Sequence, residues 1–106
     1  MDLLEKKNFY NNLYDYYHEL LTPKQREYFQ KYYFEDLSLA EIAAFYEVSR
    51  NAIHDQLQSV YHSLESYEEK LGLFDQAQRR NEIYEEYLKT GNHKIIEMIE
   101  KLKNLE

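Results

Sequence analysis

The stretch DLSLAEIAAFYEVSRNAIHDQLQSVYHSL, residues 36–64, decides the fold. Ser38 and Glu41 have the spacing of a capping box, in which each side chain bonds the other residue's backbone N–H, so a short helix is predicted over Leu39–Tyr46. A turn with the sequence EVS follows, and Ser49 caps a second, longer helix. This order of short helix, tight turn and longer helix indicates a helix-turn-helix unit.

A helix-turn-helix needs small residues where its two helices touch and an apolar residue in the turn to fix their angle. Ala43 lies in the middle of the first helix and Val48 lies in the turn. Five positions therefore fit the motif: Ile42, Ala43, Val48, Ile53 and Leu57. Glu47 departs from it, because glycine is common at the first turn residue. A glutamate there must accept a left-handed backbone, at a cost on the order of 1 kcal/mol, or reshape the turn.

The second helix is predicted to point six polar side chains outward: Arg50, Asn51, His54, Asp55, Gln58 and His62. Arg50 suits a guanine edge in the major groove, and Asn51 and Gln58 suit adenine edges. Asp55 suits a cytosine amine but repels phosphate. With His54, these residues are a candidate surface for reading a nucleic acid or for docking on a partner.

The net charge of the helix-turn-helix unit does not favour sequence-independent binding to DNA. Residues 38–58 contain one basic and three acidic side chains, a net of −2, whereas DNA binding usually rests on several phosphate neutralisations. Lys24, Arg26 and Lys31 on the preceding helix add a basic edge. These residues alone favour a protein-facing or structural role, and nucleic-acid binding stays open as an alternative.

Apolar residues recur at spacings of three and four along the chain, so the protein is predicted to be all-α. A first helix is predicted from about Asp2 to Leu21. Its apolar face consists of Tyr10, Leu13, Tyr14, Tyr17 and either Leu20 or Leu21. Thr22 and Gln25 form a capping box around Pro23 and start a second helix that runs to about residue 34.

The helix that begins after Ser49 carries an apolar seam with a period of 3.5 residues. The seam consists of Ile53, Leu57, Val60, Leu64, Tyr67 and Leu71. Gly72 suits a left-handed cap at the end of this helix. The seam is longer than a helix-turn-helix needs, so its later half is predicted to pack either against the chain's own terminal helices or against a second copy.

Two further amphipathic helices follow Gly72, separated by Thr90-Gly91-Asn92. They are predicted to form an antiparallel hairpin, or a helix followed by a terminal arm. The predicted organisation is an all-α helical bundle, with a helix-turn-helix domain at residues 1–72 and a C-terminal helical extension at residues 73–106. The extension is expected to pack on the same domain or at a dimer interface.

The chain is short and acidic. It has 106 residues, a net charge of −7 and no cysteine, so disulfides and thiolate chemistry are excluded. No apolar run approaches the roughly 18 residues of a membrane span, and the first residues lack the apolar core of a signal peptide. We therefore predict a cytoplasmic protein without membrane insertion. Its twelve tyrosines are expected in the core and on half-buried surface.

The histidines and carboxylates form no recognisable catalytic or metal site. His54 and His62 are eight residues apart, whereas a helical zinc pair has a spacing of four. Two glycines are too few for a glycine-rich phosphate loop. The sequence therefore predicts a non-enzymatic protein without cofactor or metal.

Several groups of residues occur between Leu13 and Leu73 in a fixed order that is typical of a known family. They include Leu21-Thr22, Lys24-Gln25-Arg26, Tyr32-Tyr33, Glu41-Ile42-Ala43, Val48-Ser49-Arg50 and Tyr67-Glu68-Glu69-Lys70-Leu71. On these residues the chain resembles the YlxM family of small helix-turn-helix proteins of low-GC bacteria. The same segment is similar, more distantly, to the promoter-reading fourth region of sigma factors. From Phe74 onward the likeness is weak.

The resemblance implies a role. Genes of the YlxM family typically neighbour those of the signal recognition particle GTPases, which implies an accessory or regulatory function in that pathway, through contacts with the particle's protein or RNA. A homodimer is a further alternative that the family suggests. Asn51 and His54 depart from the family pattern, which bears on base reading rather than on fold. A DNA-binding transcriptional regulator, reading the major groove with the helix that starts at Arg50, and a purely structural module stay open as alternatives.

Overall fold

The computed structural model describes residues 1–106. The chain contains six α-helices, one turn of 3-10 helix and no β-strand: α1 Leu3–Tyr17, the 3-10 turn His18–Leu20, α2 Pro23–Tyr33, α3 Leu39–Tyr46, α4 Arg50–Leu71, α5 Leu73–Leu88 and α6 His93–Lys103. The predicted all-α class is confirmed. The helices form two compact units, residues 1–72 and residues 73–106, which we call the amino-terminal unit and the hairpin unit.

The helices of the amino-terminal unit start where short-range signals place them. Thr22 and Gln25 form a complete capping box at the start of α2, and Ser38 and Glu41 form another at the start of α3. The Ser49 hydroxyl accepts a hydrogen bond from the backbone N–H of residue 52 and caps α4. These bonds satisfy N–H groups that a helix leaves without internal partners, so the predicted starts of these three helices are confirmed.

The first helix ends earlier than predicted. It stops at Tyr17, and a 3-10 turn carries the chain to Leu20. The tighter turn changes which side chain faces inward, so Leu21 is buried whereas Leu20 is 53% exposed. Arg26 stabilises this ending, because its Nη1 donates to the carbonyls of His18, at 3.3 Å, and of Leu21, at 2.9 Å.

The core of the amino-terminal unit is aromatic and aliphatic. Tyr14 lies flat on Phe29, with ring centroids 4.2 Å apart, and Phe29 lies flat on Tyr33 at 4.0 Å. The side chains below 2% exposure are Leu13, Tyr17, Phe29, Ile42, Ile53, Val60 and Leu64. Aromatic stacking contributes beyond the area that it buries, so these stacked rings add to the stability of the unit.

The amino-terminal helix covers the later part of the α4 seam. Tyr10 stacks on Tyr61 with ring centroids 4.1 Å apart, and its hydroxyl donates to Glu65. Two turns further along α1 and one turn further along α4, the Tyr17 hydroxyl donates to Oε1 of Glu68 at 2.5 Å. Phenol-to-carboxylate bonds of this kind are charge-assisted and strong, so they fix the register of α1 on α4.

This packing covers part of the later half of the seam. Leu64 is completely buried inside the unit, where α1 packs on α4. Packing of the last part of the seam against the terminal helices or a second copy stays a prediction. Tyr67 is partly exposed and donates to the Leu20 carbonyl at 3.1 Å, and Leu71 is 49% exposed. Gly72 then ends α4 in the predicted left-handed conformation, with φ 63°.

The tyrosines lie mainly where the sequence places them. The Tyr33 hydroxyl donates to the Tyr61 hydroxyl at 3.1 Å. Burial, assisted by this hydrogen bond, raises the pKa of Tyr33 well above its ordinary value, and burial also raises the pKa of Tyr61. Both phenols therefore stay protonated at neutral pH and act as hydrogen-bonding core residues.

The hairpin unit is a pair of helices with a small core. Gly91 turns the chain with φ 69°, and the Asn92 side chain accepts from the backbone N–H groups of residues 94 and 95 to start α6. Tyr84 and Ile99 are its buried residues. Of the two predicted arrangements, the antiparallel hairpin is therefore present. None of the six helices combines the length and the apolar character needed to cross a membrane.

Candidate functional site

The predicted helix-turn-helix is formed by α3, the turn and α4. Ala43 is 6% exposed, and Ile42 and Ile53 are completely buried between the two helices. Glu47 adopts the left-handed conformation, with φ 56° and ψ 43°. Of the two alternatives that the sequence left open for Glu47, the left-handed backbone is present, and it costs on the order of 1 kcal/mol for a residue with a side chain.

The turn is not fixed by a buried apolar side chain. Val48, which the sequence placed in that role, is 44% exposed. Its backbone N–H instead donates to the Ala43 carbonyl at 3.0 Å, and the Glu47 N–H donates to the Ala44 carbonyl at 3.3 Å. The left-handed residue directs both N–H groups back to the last carbonyls of α3. Backbone hydrogen bonds therefore set the turn, and the prediction for the Val48 side chain was wrong.

Four of the predicted site residues form a ridge on α4, consisting of Arg50, Asn51, His54 and Gln58. The first three are exposed and Gln58 is half-buried. Arg50 is the first residue of the helix and takes part in no ion pair. His54 Nδ1 lies 3.6 Å from Asp55 Oδ1, and both side chains are mostly exposed. The ridge therefore offers one cation, two amides and an imidazole, with a carboxylate at its side.

Two of the three predicted basic residues pack across aromatic rings of α3. Lys24 Nζ lies 4.2 Å from the Tyr46 ring centroid, and Lys31 Nζ lies 4.0 Å from that of Phe45. Lys31 also pairs with Glu35 at 3.6 Å, and its side chain is only 14% exposed. We call Lys24, Lys31, Phe45 and Tyr46 the lysine–aromatic edge. Its cations are held in place by the rings.

Arg26, the third basic residue, stabilises the backbone at the end of the first helix. Its guanidinium donates to backbone carbonyls at the end of the first helix and is partly buried. The structure thus brings Lys24 and Lys31 together on one surface but commits Arg26 to helix termination. A guanidinium, with its forked set of N–H donors, can bind the backbone carbonyls at a helix end as readily as it binds a ligand.

Sequence reasoning missed the aromatic part of this edge. Phe45 is 63% exposed, although it lies in the most apolar helix of the chain. The signal was its position, because Ile42 and Ala43 define the inner face of α3 and Phe45 falls outside it. The Tyr46 hydroxyl donates to Glu27 Oε1 at 2.7 Å. Burial, together with this bond, raises the pKa of Tyr46, which remains a protonated donor.

The sequence of residues 4–105 matches the family described as "Putative helix-turn-helix protein, YlxM / p13 like" (UPF0122). This chain belongs to that family. The resemblance drawn from the sequence is confirmed, and the matched region extends past Phe74 to residue 105. The hairpin unit is part of the family pattern.

Individual relatives agree with this assignment. The chain is 45% identical to UPF0122 protein OB1530 of Oceanobacillus iheyensis, over 98% of this chain and 100% of the relative. It is 46% identical to UPF0122 protein GWCH70_1086 of Geobacillus sp. strain WCH70, with the same coverage. UPF0122 protein GK1195 of Geobacillus kaustophilus is 53% identical over 78% of this chain and 76% of the relative.

The family is one of helix-turn-helix proteins rather than of enzymes. In the structure, no group of three or more His, Cys, Asp or Glu side chains is arranged to hold a metal ion. Burial, hydrogen bonding or both raise the pKa of five tyrosines, and hydrogen bonds from Tyr84 and Arg80 lower the pKa of Glu106; the tyrosines are Tyr10, Tyr33, Tyr46, Tyr61 and Tyr84. Their partners are one another and neighbouring side chains, which is the pattern of structural hydrogen bonding.

Proposed function

We propose that this protein acts by binding, without catalysis, as an accessory or regulatory component of the signal recognition particle pathway. Its contact surface is the ridge of Arg50, Asn51, His54 and Gln58, and its partner is the particle's protein or RNA. The observation that carries the proposal is an exposed polar ridge with a single cation on a well-formed helix-turn-helix. The resemblance to the YlxM family supports the choice of pathway.

The net charge of the amino-terminal unit favours binding to a folded partner over sequence-independent binding to DNA. Residues 1–72 carry seven basic and thirteen acidic side chains, a net of −6. Such a unit is repelled by a phosphate polymer at long range. A protein surface lacks this polyanionic charge and is recognised by shape and a few directed hydrogen bonds. A folded RNA repels the unit as DNA does, so binding to it would rest on directed hydrogen bonds to unpaired bases. The guanidinium, amides and imidazole of the ridge supply those bonds.

The lysine–aromatic edge is the second contact in this proposal. Phe45 exposes most of its ring, and Lys24 and Lys31 lie over neighbouring rings. An exposed ring flanked by cations suits a partner's apolar side chain or an unpaired base of RNA. Arg26 supports this surface from within by ordering the start of α2 against the end of α1.

Titration of purified components tests the proposal. Labelled signal recognition particle RNA and the particle's GTPase are each titrated with the full chain. We expect saturable binding to at least one of them. Replacing Arg50 and Gln58 together with alanine should weaken it about tenfold or more, because directed hydrogen bonds are lost.

The matched control removes the same chemistry from another helix. Arg79 and Gln78 are an exposed arginine and glutamine on α5, and their joint replacement with alanine should leave the affinity unchanged. Equal losses in both double variants would contradict a specific ridge. Binding to neither component would contradict the proposed pathway.

A DNA-binding regulator is the second candidate. It is favoured by one observation, namely that Arg50 and Asn51 lie exposed at the amino-terminal end of α4, where recognition helices contact base edges. The family description names the same motif. In this alternative the lysine–aromatic edge would contact phosphates.

Salt dependence separates the two candidates. Anisotropy of labelled duplex DNA is measured over a range of salt concentrations. A regulator should bind one sequence tightly, with a log–log slope of about −0.9 for each phosphate neutralised. Our main proposal expects weak binding without sequence preference, so tight and saturable binding to one duplex would overturn it in favour of the regulator.

A further inference from the structure

The outward side of α3 is apolar, although it is exposed. Ile42 and Ala43 are buried, so the opposite side of this helix points away from the core. That side presents Ala40, Ala44 and Phe45, which are all exposed, and the Phe45 ring is 63% exposed. A surface helix normally carries polar residues opposite its buried face, and a helix that is apolar all round is normally buried. The outward side of α3 is therefore typical of a covered surface.

Val48 continues this apolar surface toward the ridge. It is 44% exposed in the turn between α3 and α4, two residues before Arg50. The α3 face, as we name this surface, consists of Ala40, Ala44, Phe45 and Val48. Glu41 is the only charged residue of α3, and its Oε1 accepts a hydrogen bond from the Ser38 N–H at 3.2 Å. The α3 face thus adjoins the proposed contact surface and offers a partner few polar groups.

A nucleic acid is a poor match for the α3 face. When a helix-turn-helix binds DNA, its first helix crosses the sugar–phosphate backbone, where basic and hydroxyl side chains contact the phosphate oxygens. The outward side chains of α3 are alanines, a phenylalanine and a carboxylate, none of which donates a hydrogen bond. The amino-terminal unit also has a net charge of −6, which repels a polyanion. A protein is therefore the class of partner that fits this face.

The charges around Phe45 restrict the chemistry of that protein. Lys31 Nζ lies 4.0 Å from the ring centroid, so a cation already occupies one face of the ring. The other face is a weaker site for a second cation and suits an apolar group. Residues 22–58, which contain α2, α3 and the ridge, carry four basic and six acidic side chains, a net of −2. This region therefore attracts a protein surface that is basic overall.

We propose that the α3 face binds a basic protein surface, in which an apolar socket receives the Phe45 ring. This inference rests on the proposed function and deepens it, because it selects the particle's protein rather than its RNA as the partner of this face. Phe45 is the apolar anchor, and the ridge that begins at Arg50 supplies directed hydrogen bonds beside it. Aromatic side chains are enriched in interface cores, and a few such anchors contribute most of the binding energy.

Substitution of Phe45 tests the socket. The full chain and its variants are titrated with the particle's GTPase and, separately, with its RNA, and circular dichroism checks each fold. Phe45→Ala should weaken GTPase binding about tenfold or more, whereas Phe45→Leu, which keeps a large apolar side chain, should stay within about threefold of the wild type. Leu20→Ala is the matched control. It removes an apolar side chain of similar exposure, 53%, from outside the α3 face, and it should leave the affinity unchanged.

Salt dependence tests the charge of the partner surface. The association rate with the GTPase should fall as salt rises, because salt screens the attraction between opposite charges. Glu47→Gln, beside the α3 face, should slow association by about twofold or more. Glu86→Gln makes the same exchange at an exposed position of α5 and should leave the rate unchanged. An association rate that rises with salt would overturn the proposal.

Other occupants of the α3 face would give different results. If Phe45→Ala and Phe45→Leu weaken RNA binding equally and leave GTPase binding unchanged, the ring stacks on a base and the proposal is overturned. If Phe45→Ala halves the molar mass of the chain in solution, a second copy covers the face, which also overturns it. RNA binding without GTPase binding, or GTPase binding that Phe45→Ala leaves unchanged, contradicts this inference alone. Binding to neither component contradicts the proposed function as well.

Discussion

The amino-terminal unit and the hairpin unit differ in how completely the apolar faces of their helices are covered. Both consist of amphipathic helices joined by short connections. In the amino-terminal unit, α4 is covered by other helices of the unit, and stacked rings fill the space between them. In the hairpin unit, Tyr84 and Ile99 are buried while a row of large apolar side chains stays exposed. One unit completes its own core, and the other does not.

The difference teaches that periodicity predicts that a face will be covered, but not by what. The α4 seam and the hairpin face have the same kind of pattern. The α4 seam is covered by α1 of the same unit, whereas the hairpin face stays exposed within its own unit. Only the burial of the individual side chains distinguishes a covered face from an uncovered one.

The largest expected effect is on the completed core. Leu64→Ala should lower the free energy of unfolding of the amino-terminal unit by about 3 kcal/mol, because a completely buried leucine leaves a cavity. Urea unfolding followed by circular dichroism measures it. The control Leu20→Ala removes the same atoms from a half-exposed site and should cost less than about 1 kcal/mol. Equal costs would show that α1 does not cover the seam as described.

Alkaline pH should destabilise the amino-terminal unit. Its buried phenols Tyr10, Tyr33 and Tyr61 have pKa values raised above their ordinary value of about 10. A raised pKa favours the neutral form in the folded state, so this contribution is complete below about pH 10 and is lost as the pH rises further. Unfolding temperature against pH, with tyrosinate absorbance, measures it.

A matched variant assigns the alkaline effect. Tyr33→Phe keeps the ring on Phe29 and removes one titrating group, so its stability should fall less steeply above pH 10 than that of the wild type. Tyr84 in the hairpin unit also has a raised pKa, chiefly through its hydrogen bond to Glu106, but lies in a sparse core. If Tyr33→Phe has the same alkaline profile as the wild type, the other two phenols account for the loss.

Much of the fold could be predicted because its signals are local. Each capping box needs residues three apart, and the left-handed backbone at Glu47 was one of two alternatives indicated by its position, where the motif commonly has glycine. Such signals depend on the nearest backbone groups. The ridge residues Arg50, Asn51 and His54 could be predicted as exposed because the buried side of α4 has a clear period.

The remainder depends on contacts between residues far apart in sequence. Arg26 binds carbonyls of the preceding helix end, and the rings that hold Lys24 and Lys31 come from another helix. Sequence periodicity does not distinguish an arginine that is exposed for ligand binding from one whose guanidinium donates to backbone carbonyls. The Val48 prediction failed for a related reason, since a backbone hydrogen bond replaced the side-chain contact that the motif usually has.

Arg26 and Lys24 should separate structure from binding. Arg26→Ala should lower the free energy of unfolding by about 1 kcal/mol, because two carbonyls lose a charged donor that is only partly screened. Lys24→Ala should change stability by less than about 0.5 kcal/mol and instead weaken partner binding. Urea unfolding and the RNA and GTPase titrations measure both. A stable Arg26→Ala variant that cannot bind would restore Arg26 as a contact residue.

Two left-handed residues, one in each unit, should respond to substitution with opposite signs. Glu47 and Gly91 have nearly the same φ, 56° and 69°, but only Gly91 is free of side-chain strain. Glu47→Gly should therefore raise the free energy of unfolding by about 0.5 kcal/mol, because relief of strain exceeds the entropy that glycine adds to the unfolded chain. Gly91→Ala should lower it by about 1 kcal/mol, although its Cβ would meet no atom within 4 Å, so its cost is conformational. Opposite signs by urea unfolding support this account, whereas destabilisation by Glu47→Gly would mean that the glutamate side chain stabilises the turn in a way that outweighs its strain.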